Sequence, residues 1–199
     1  SPSKKFKILS PRSIRTLRDS FSFMNSFSAQ AAIQLIPASQ FSIDELTAIY
    51  NQTRVDYMIP MPMNAARLRE YVETYDVDLS RSLVAVEAGE KRGVAMLGIR
   101  PDRTWITRLG VLPSTRRGGV GEALMRGLLA QSEELNINFT MLEVIKNNIP
   151  AHQLFIKLGF YETGELLVLR RSPASGQVEP VIADDRRLER YEALDLIRH

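Results

Sequence analysis

The chain has 199 residues, 44% apolar and 25% charged, a balance that suits one soluble globular domain with a short appendage. It has no cysteine, which excludes disulfides and thiolate chemistry and leaves the redox compartment open; its two histidines, His152 and His199, form no metal-ligand spacing, so no metal is expected. The net charge of +3 gathers in a tail, since residues 1–30 hold six basic residues and one acidic while the rest holds 20 basic and 22 acidic, so the body lacks the basic surface of a nucleic-acid binder. No apolar run reaches membrane-spanning length. The expectation is a cytoplasmic protein that contacts neither nucleic acid nor membrane.

Residues 1–30, rich in serine and basic side chains, are expected to be an unstructured extension. Three readings of them stay open: a segment upstream of a natural start at Met24, an organelle-targeting segment, or a functional arm. Ala32 to Pro37 reads as a first strand. Ser42-Ile43-Asp44-Glu45 is a capping box, hydroxyl and carboxylate satisfying each other's backbone donors. The helix it opens carries Ile43, Leu46, Ile49 and Tyr50 on one face. Asp56 to Met63 holds prolines at 60 and 62, which forbid a regular helix. Asn64 caps a second helix with the stripe Leu68, Tyr71, Val72 and Tyr75. Ser82 to Glu87, Val94 to Arg100 and Thr104 to Leu112 are short strands separated by turns, one of them at Ala88 to Gly93, and imply an antiparallel meander.

A helix over Glu122 to Leu135 follows, then a strand over Asn138 to Ile145; this strand–helix–strand unit predicts a parallel pair with a right-handed crossover. Pro150 suits the first turn of another helix and Gly159 its end. Tyr161 to Arg171 is a further strand. The domain is thus bounded at about residues 31–172. Within 173–199, Val178 to Ala183 reads as a seventh strand and Asp184 to His199 as an amphipathic helix. That helix has three open destinations: its own domain, a homodimer partner, or the start of a second domain.

The most informative stretch is Arg116-Arg117-Gly118-Gly119-Val120-Gly121, between a strand and a helix. Such a turn points several N–H groups at one spot, where the helix dipole favours negative charge. The glycines remove the Cβ atoms that would block a phosphate. A pyrophosphate is the simplest ligand. No Lys-Ser or Lys-Thr follows, as a nucleotide P-loop requires, and a dinucleotide fingerprint fails at Leu124.

The stretch resembles the Arg/Gln-x-x-Gly-x-Gly/Ala loop of the GCN5-related N-acetyltransferase (GNAT) superfamily, through Arg116, Gly119 and Gly121. A second stretch, Asn148 to Phe160, is similar to that family's Asn-x-x-Ala-x-x-Leu-Tyr-x-x-x-Gly-Phe signature at Asn148, Ala151, Leu154, Gly159 and Phe160. The resemblance covers roughly Ala32 to Arg171. It implies an α/β fold with a mixed, mostly antiparallel central sheet flanked by helices, in which the parallel strands Thr104 to Leu112 and Asn138 to Ile145 splay apart around acetyl-CoA or another acyl-CoA. Leu109, Gly110 and Val111 would hold the pantetheine arm and polarise the thioester. Arg116, Arg117, Gly118, Gly119, Val120 and Gly121 would take the pyrophosphate, and Asn148 would bond the arm.

Glu143 matches the glutamate that some members use as general base, and an apolar strand around it would raise its pKa; a strand-edge glutamate facing solvent is the plainer alternative. Phe155, beside the cofactor, departs from the family's tyrosine acid and has no proton to give. Asp56, Tyr57 and Met58 fall where the family builds its acceptor site. The implied activity is N-acetyl transfer from acetyl-CoA to a primary amine, of a small molecule or peptide, by direct attack. The alternative is a catalytically weak acyl-CoA-binding sensor, or the non-catalytic half of a two-domain acetyltransferase.

Overall fold

The computed structural model describes residues 4–11 and 32–168. Its helices start where the sequence supplies caps. The Glu45 amide donates to Ser42 Oγ at 3.2 Å and the Ser42 amide donates to the Glu45 carboxylate at 2.9 Å, so a complete box opens α1 (Ile43–Gln52). Asn64 Oδ1 accepts from the Arg67 amide at 2.9 Å and opens α2 (Ala65–Thr74). Gly119 caps α3 (Val120–Glu134) with no side chain, and Asn148 caps α4 (Ile149–Lys157).

The strands are β1 (Lys4–Pro11), β2 (Gln34–Pro37), β3 (Val77–Glu87), β4 (Glu90–Ile99), β5 (Thr104–Val111), β6 (Thr140–Ile145) and β7 (Phe160–Val168). They form one sheet in the order β2-β3-β4-β5-β6-β1-β7. Only β5 and β6 are parallel neighbours; every other pairing is antiparallel. The mixed, mostly antiparallel sheet between helices is the fold the resemblance implies.

Two differences from the sequence reading have physical causes. Residues 4–11 are not an unstructured extension. They form β1, which lies antiparallel between β6 and β7, with Leu9 fully buried. The crossover through α4 leaves β6 and β7 one strand apart, and β1 satisfies the facing backbone groups of both. The turn spread over Ala88 to Gly93 is only two residues: Ala88 and Gly89 have φ of 51° and 78°, the doubly left-handed turn that joins twisted strands. Residues 12–31 and 169–199, including the strand expected at Val178 to Ala183 and the terminal helix, lie outside the described residues.

Alternation along the middle strands feeds two cores. Leu83, Ala85, Ala95 and Leu97 face α3 and α4, with Leu124, Leu128 and Phe155. Val84, Val86, Val94 and Met96 face α1 and α2, with Leu46, Tyr50 and Leu68. Residues two apart share a face in a regular strand, so on β6 Leu142 and Val144 both join the α3 and α4 layer.

Candidate active site

The parallel pairing of β5 and β6 lasts for three positions, Thr104↔Thr140, Trp105↔Met141 and Ile106↔Leu142. Beyond them the strands part. β5 stays with β4, but the register slips between Met96↔Thr107 and Val94↔Gly110, a bulge at which Arg108 has φ of 54°. A bulge bends its strand and strengthens the twist. β6 turns to β1, pairing Glu143 with Ile8 and Val144 with Lys7. A cleft opens between Thr107–Val111 and Glu143–Ile145.

The glycine loop stands at the mouth of this cleft. A Cβ on Gly121 would touch Val111 of β5 at 3.5 Å and Leu154 of α4 at 3.4 Å, so the start of α3 bridges the diverging elements. Arg117 and Gly119 have φ of 66° and 84°, and residues 116–119 are exposed. With no side-chain cap, the first-turn amides of α3 are free to face an anion. This geometry fits a pyrophosphate.

Arg116 points elsewhere than outward. Its guanidinium grips both carboxylate oxygens of Asp56 at 2.7 Å and donates to the carbonyls of Thr53 (3.2 Å) and Val111 (3.3 Å). It ties the loop to the end of α1. Asp56, read as a holder for the acceptor ammonium, is therefore committed to Arg116, which holds its carboxyl below the usual carboxylate range.

The β5 edge is also engaged. Arg54 Nη2 donates to the Leu109 carbonyl at 2.7 Å, and its guanidinium lies 4.2 Å from the centre of the Tyr57 ring. Asn148 Nδ2 donates to the Tyr57 hydroxyl at 3.3 Å, while its Oδ1 accepts from Ala151 at 3.4 Å. Arg54 and Tyr57 thus strap β5 to the end of β6. Gly110 has a structural reason to be glycine: a Cβ there would lie 2.1 Å from Thr53 Oγ1.

Glu143 lies between Leu142 and Val144, which face α3 and α4, so its own side chain is on the α1/α2 side. The carboxylate is exposed to the cleft, yet the walls remove enough water to raise its pKa. Extending the parallel register by one place sets Thr107 opposite Glu143. Phe155 is 4% exposed and sits in the α3/α4 core, its ring 6.1 Å from that of Phe160. It does not line the cleft surface.

A cavity of about 490 Å³ opens beside this region, between the Pro60–Met63 loop, α2 and Arg108. Tyr71 and Tyr75 line it, with ring centroids 4.4 Å apart, and the Trp105 ring lies 5.3 Å from that of Tyr75, tilted by 59°. The Tyr71 hydroxyl shares a hydrogen bond with Thr107 Oγ1. Asp56, Tyr57 and Met58 lie outside this lining; the cavity begins at Pro60. Sequence reasoning missed Arg54, Thr107 and Arg108. Arg108 had a signal, a charge inside an apolar strand, but nothing local marks Arg54. Among the described residues no three His, Cys, Asp or Glu side chains form a metal cluster, and no helix is long and apolar enough to cross a membrane.

Fold and site define a class: a helix-flanked mixed sheet whose two parallel strands separate in front of a helix that no side chain caps. The profile of the Acetyltransferase (GNAT) family matches residues 44–160, and the chain belongs to that family. No curated protein matches the sequence. Solved structures share the fold. A GCN5-related N-acetyltransferase from Sphaerobacter thermophilus superposes with a TM-score of 0.59 at 17% identity, over 84% of this chain and 51% of that one. A functionally unknown conserved protein from Staphylococcus epidermidis gives 0.55 at 15%, over 82% and 60%. The chain thus spans only about half to three fifths of those two. The ribosomal-protein-S18-alanine N-acetyltransferase from Escherichia coli gives 0.56 at 20%, over 67% and 80%.

Proposed function

We propose that this chain is an N-acyltransferase that moves an acetyl group from acetyl-CoA to a primary amine by direct attack. The observation that carries the reading is the parting of β5 and β6 after three pairs, with the α3 amides at its mouth and Glu143 on its far wall. Acetyl-CoA supplies an activated acyl group, a thioester, and the chain's residues do the rest. The amides from Arg117 to Gly121 take the pyrophosphate. The β5 edge from Leu109 to Val111 holds the pantetheine arm and offers an N–H to the developing oxyanion, an interaction worth about 3–4 kcal/mol in comparable sites. Asn148 bonds the same arm.

Glu143 takes a proton from the acceptor ammonium. The amine nitrogen bonds to the carbonyl carbon and sheds its second proton to water, the carbon–sulfur bond breaks, and the thiolate takes its proton from water or from Tyr57. Tyr57 is the phenol bonded to Asn148 at the start of α4, and Phe155 has no proton to give. Holding both reactants in line is itself worth roughly 7–11 kcal/mol at the favourable limit.

Burial of Phe155 favours a second reading, an acyl-CoA-binding domain that does not turn its ligand over. Calorimetry with CoA, followed by thiol release from acetyl-CoA over an amine panel, separates the two. Turnover on any amine, lost in Glu143→Gln with CoA binding intact, supports the enzyme. Binding without turnover on every amine supports the sensor. No heat with millimolar CoA removes both.

A further inference from the structure

The cavity beside Glu143 has a charge pattern that selects its ligand. Most arginines of the fold are neutralised: Arg81, Arg92, Arg100, Arg103, Arg116 and Arg126 each hold a carboxylate. The two that line the cavity do not. Among the described residues, Arg108 has no acidic partner. It donates to the Tyr50 hydroxyl at 3.1 Å and lies 3.9 Å from the centre of the Tyr71 ring, and its Nε is buried with no hydrogen-bond partner. Among the described residues the Arg67 side chain has no partner either, and it stands exposed at the rim. Among the described residues, Glu70 is the one carboxylate lining the cavity.

A guanidinium laid against aromatic faces, with no carboxylate beside it among the described residues, suits an oxygen anion. Two arginines against one glutamate leave a single positive charge, which one negative charge matches. The floor beside them is flat and apolar: Tyr71, Tyr75, Met61 and Met63. Arg108 follows Thr107, whose hydroxyl meets that of Tyr71 and which stands opposite Glu143 when the parallel register is extended by one place. The anion site and the proposed base therefore flank the same tyrosine.

We infer that the acceptor is an amine bearing one carboxylate on a flat apolar body, the carboxylate held by Arg108 with Arg67 at the rim and the body lying on Tyr71 and Tyr75. This rests on the acyltransferase reading for the direction of the amine, but the anion site itself does not require turnover. A strap of prolines at 60 and 62 keeps the methionine wall in place, so the cavity is formed before the ligand enters.

The test uses two matched pairs, phenylalanine with phenethylamine and 4-(aminomethyl)benzoate with benzylamine. Each is titrated calorimetrically into the protein with CoA present, and each is assayed for thiol release from acetyl-CoA. The carboxylate member of at least one pair is expected to bind about ten- to a hundredfold more tightly than its neutral partner, the worth of a charged hydrogen bond. Arg108→Met removes that difference and Arg67→Gln reduces it. Glu70→Gln increases it, a gain that a merely structural role for these residues does not produce.

Equal or weaker binding of both carboxylates overturns the inference, as does a preference that survives Arg108→Met and Arg67→Gln together. If Arg108→Met fails to fold, the opposed effects of the Arg67 and Glu70 substitutions decide alone. A carboxylate preference in binding keeps the anion site whatever the turnover, and the enzyme reading falls only if the whole amine panel is also inert. Turnover with no preference keeps the enzyme reading and overturns the anion site.

Discussion

The two ends of the β5–β6 pair are built from different materials. At the closed end, Thr104 Oγ1 shares hydrogen bonds with Ser132 at 2.8 Å and Thr140 at 2.9 Å, and all three hydroxyls are fully buried. Every polar group there has a fixed partner. At the open end the backbone of β5 is met by side chains: Arg54 on the Leu109 carbonyl and Arg116 on that of Val111. A strand partner is replaced by guanidinium groups on long, rotatable stems. One end is a joint; the other is a joint left apart, closed only by groups that can swing away. Changes at the open end should therefore alter binding and rate, and changes that unseat the strands should alter stability.

Glu143→Gln is the sharpest way to break that division. Loss of a general base lowers kcat by roughly 10²–10⁴, read by thiol release, while CoA affinity stays. The same residue sets a pH signature. Burial raises its folded pKa, so wild-type kcat/KM falls with falling pH at a higher pH than an ordinary carboxylate would give. The stability effect has the opposite sign. A raised folded pKa stabilises only the protonated form, and that contribution is lost as pH rises through the raised value. The glutamine variant should therefore melt no lower than wild type at neutral pH. A large drop in melting temperature would show Glu143 to be a structural member of the strand instead.

Leu9→Ala attacks the other half of the comparison. β6 can leave β5 because β1 receives it, and Leu9, fully buried, pairs with Leu142 in that register. Emptying the site costs about 2–5 kcal/mol, visible as a lower urea midpoint. Unchanged stability would mean that β1 is not seated in the sheet. Gly110→Ala sits between the two behaviours. Its new Cβ meets Thr53 Oγ1 at 2.1 Å, so α1 must shift from β5 at about 1–3 kcal/mol. Because Thr53 and Asp56 also anchor Arg116, CoA affinity should weaken with it.

These contrasts were unequally legible in the sequence. Caps and the strand at Ser82 to Glu87 are local, so they could be read one residue at a time. The glycine loop and Asn148 stood out through their likeness to two family motifs, and the structure sets them at the starts of α3 and α4. The role of β1 was hidden: Lys4 to Pro11 has the composition of a tail, and only pairing with strands more than 130 residues away in the chain makes it a strand. Asp56 was misplaced for a similar reason. A carboxylate in a loop by a binding site looks free until Arg116, on a distant turn, is folded against it. The cavity's charge balance depends on Arg67, Glu70 and Arg108 meeting, which no local pattern announces.

The smallest effect is the most direct probe of the open end. If the pantetheine arm bonds the Leu109 carbonyl, it competes with Arg54, which already donates there at 2.7 Å. Arg54→Met keeps much of the stem's packing and removes the competitor. One exposed-edge hydrogen bond is worth about 0.5–1.5 kcal/mol, so CoA should bind a few-fold more tightly, measured by calorimetry. Tyr57→Phe, which loosens the strap at Asn148 without freeing Leu109, should change affinity less. The order of the two variants carries the argument. Tighter binding in Arg54→Met alone identifies the carbonyl as the contested group, whereas weaker binding in both would make the strap part of the coenzyme's own seat, and the open end would then be as fixed as the closed one.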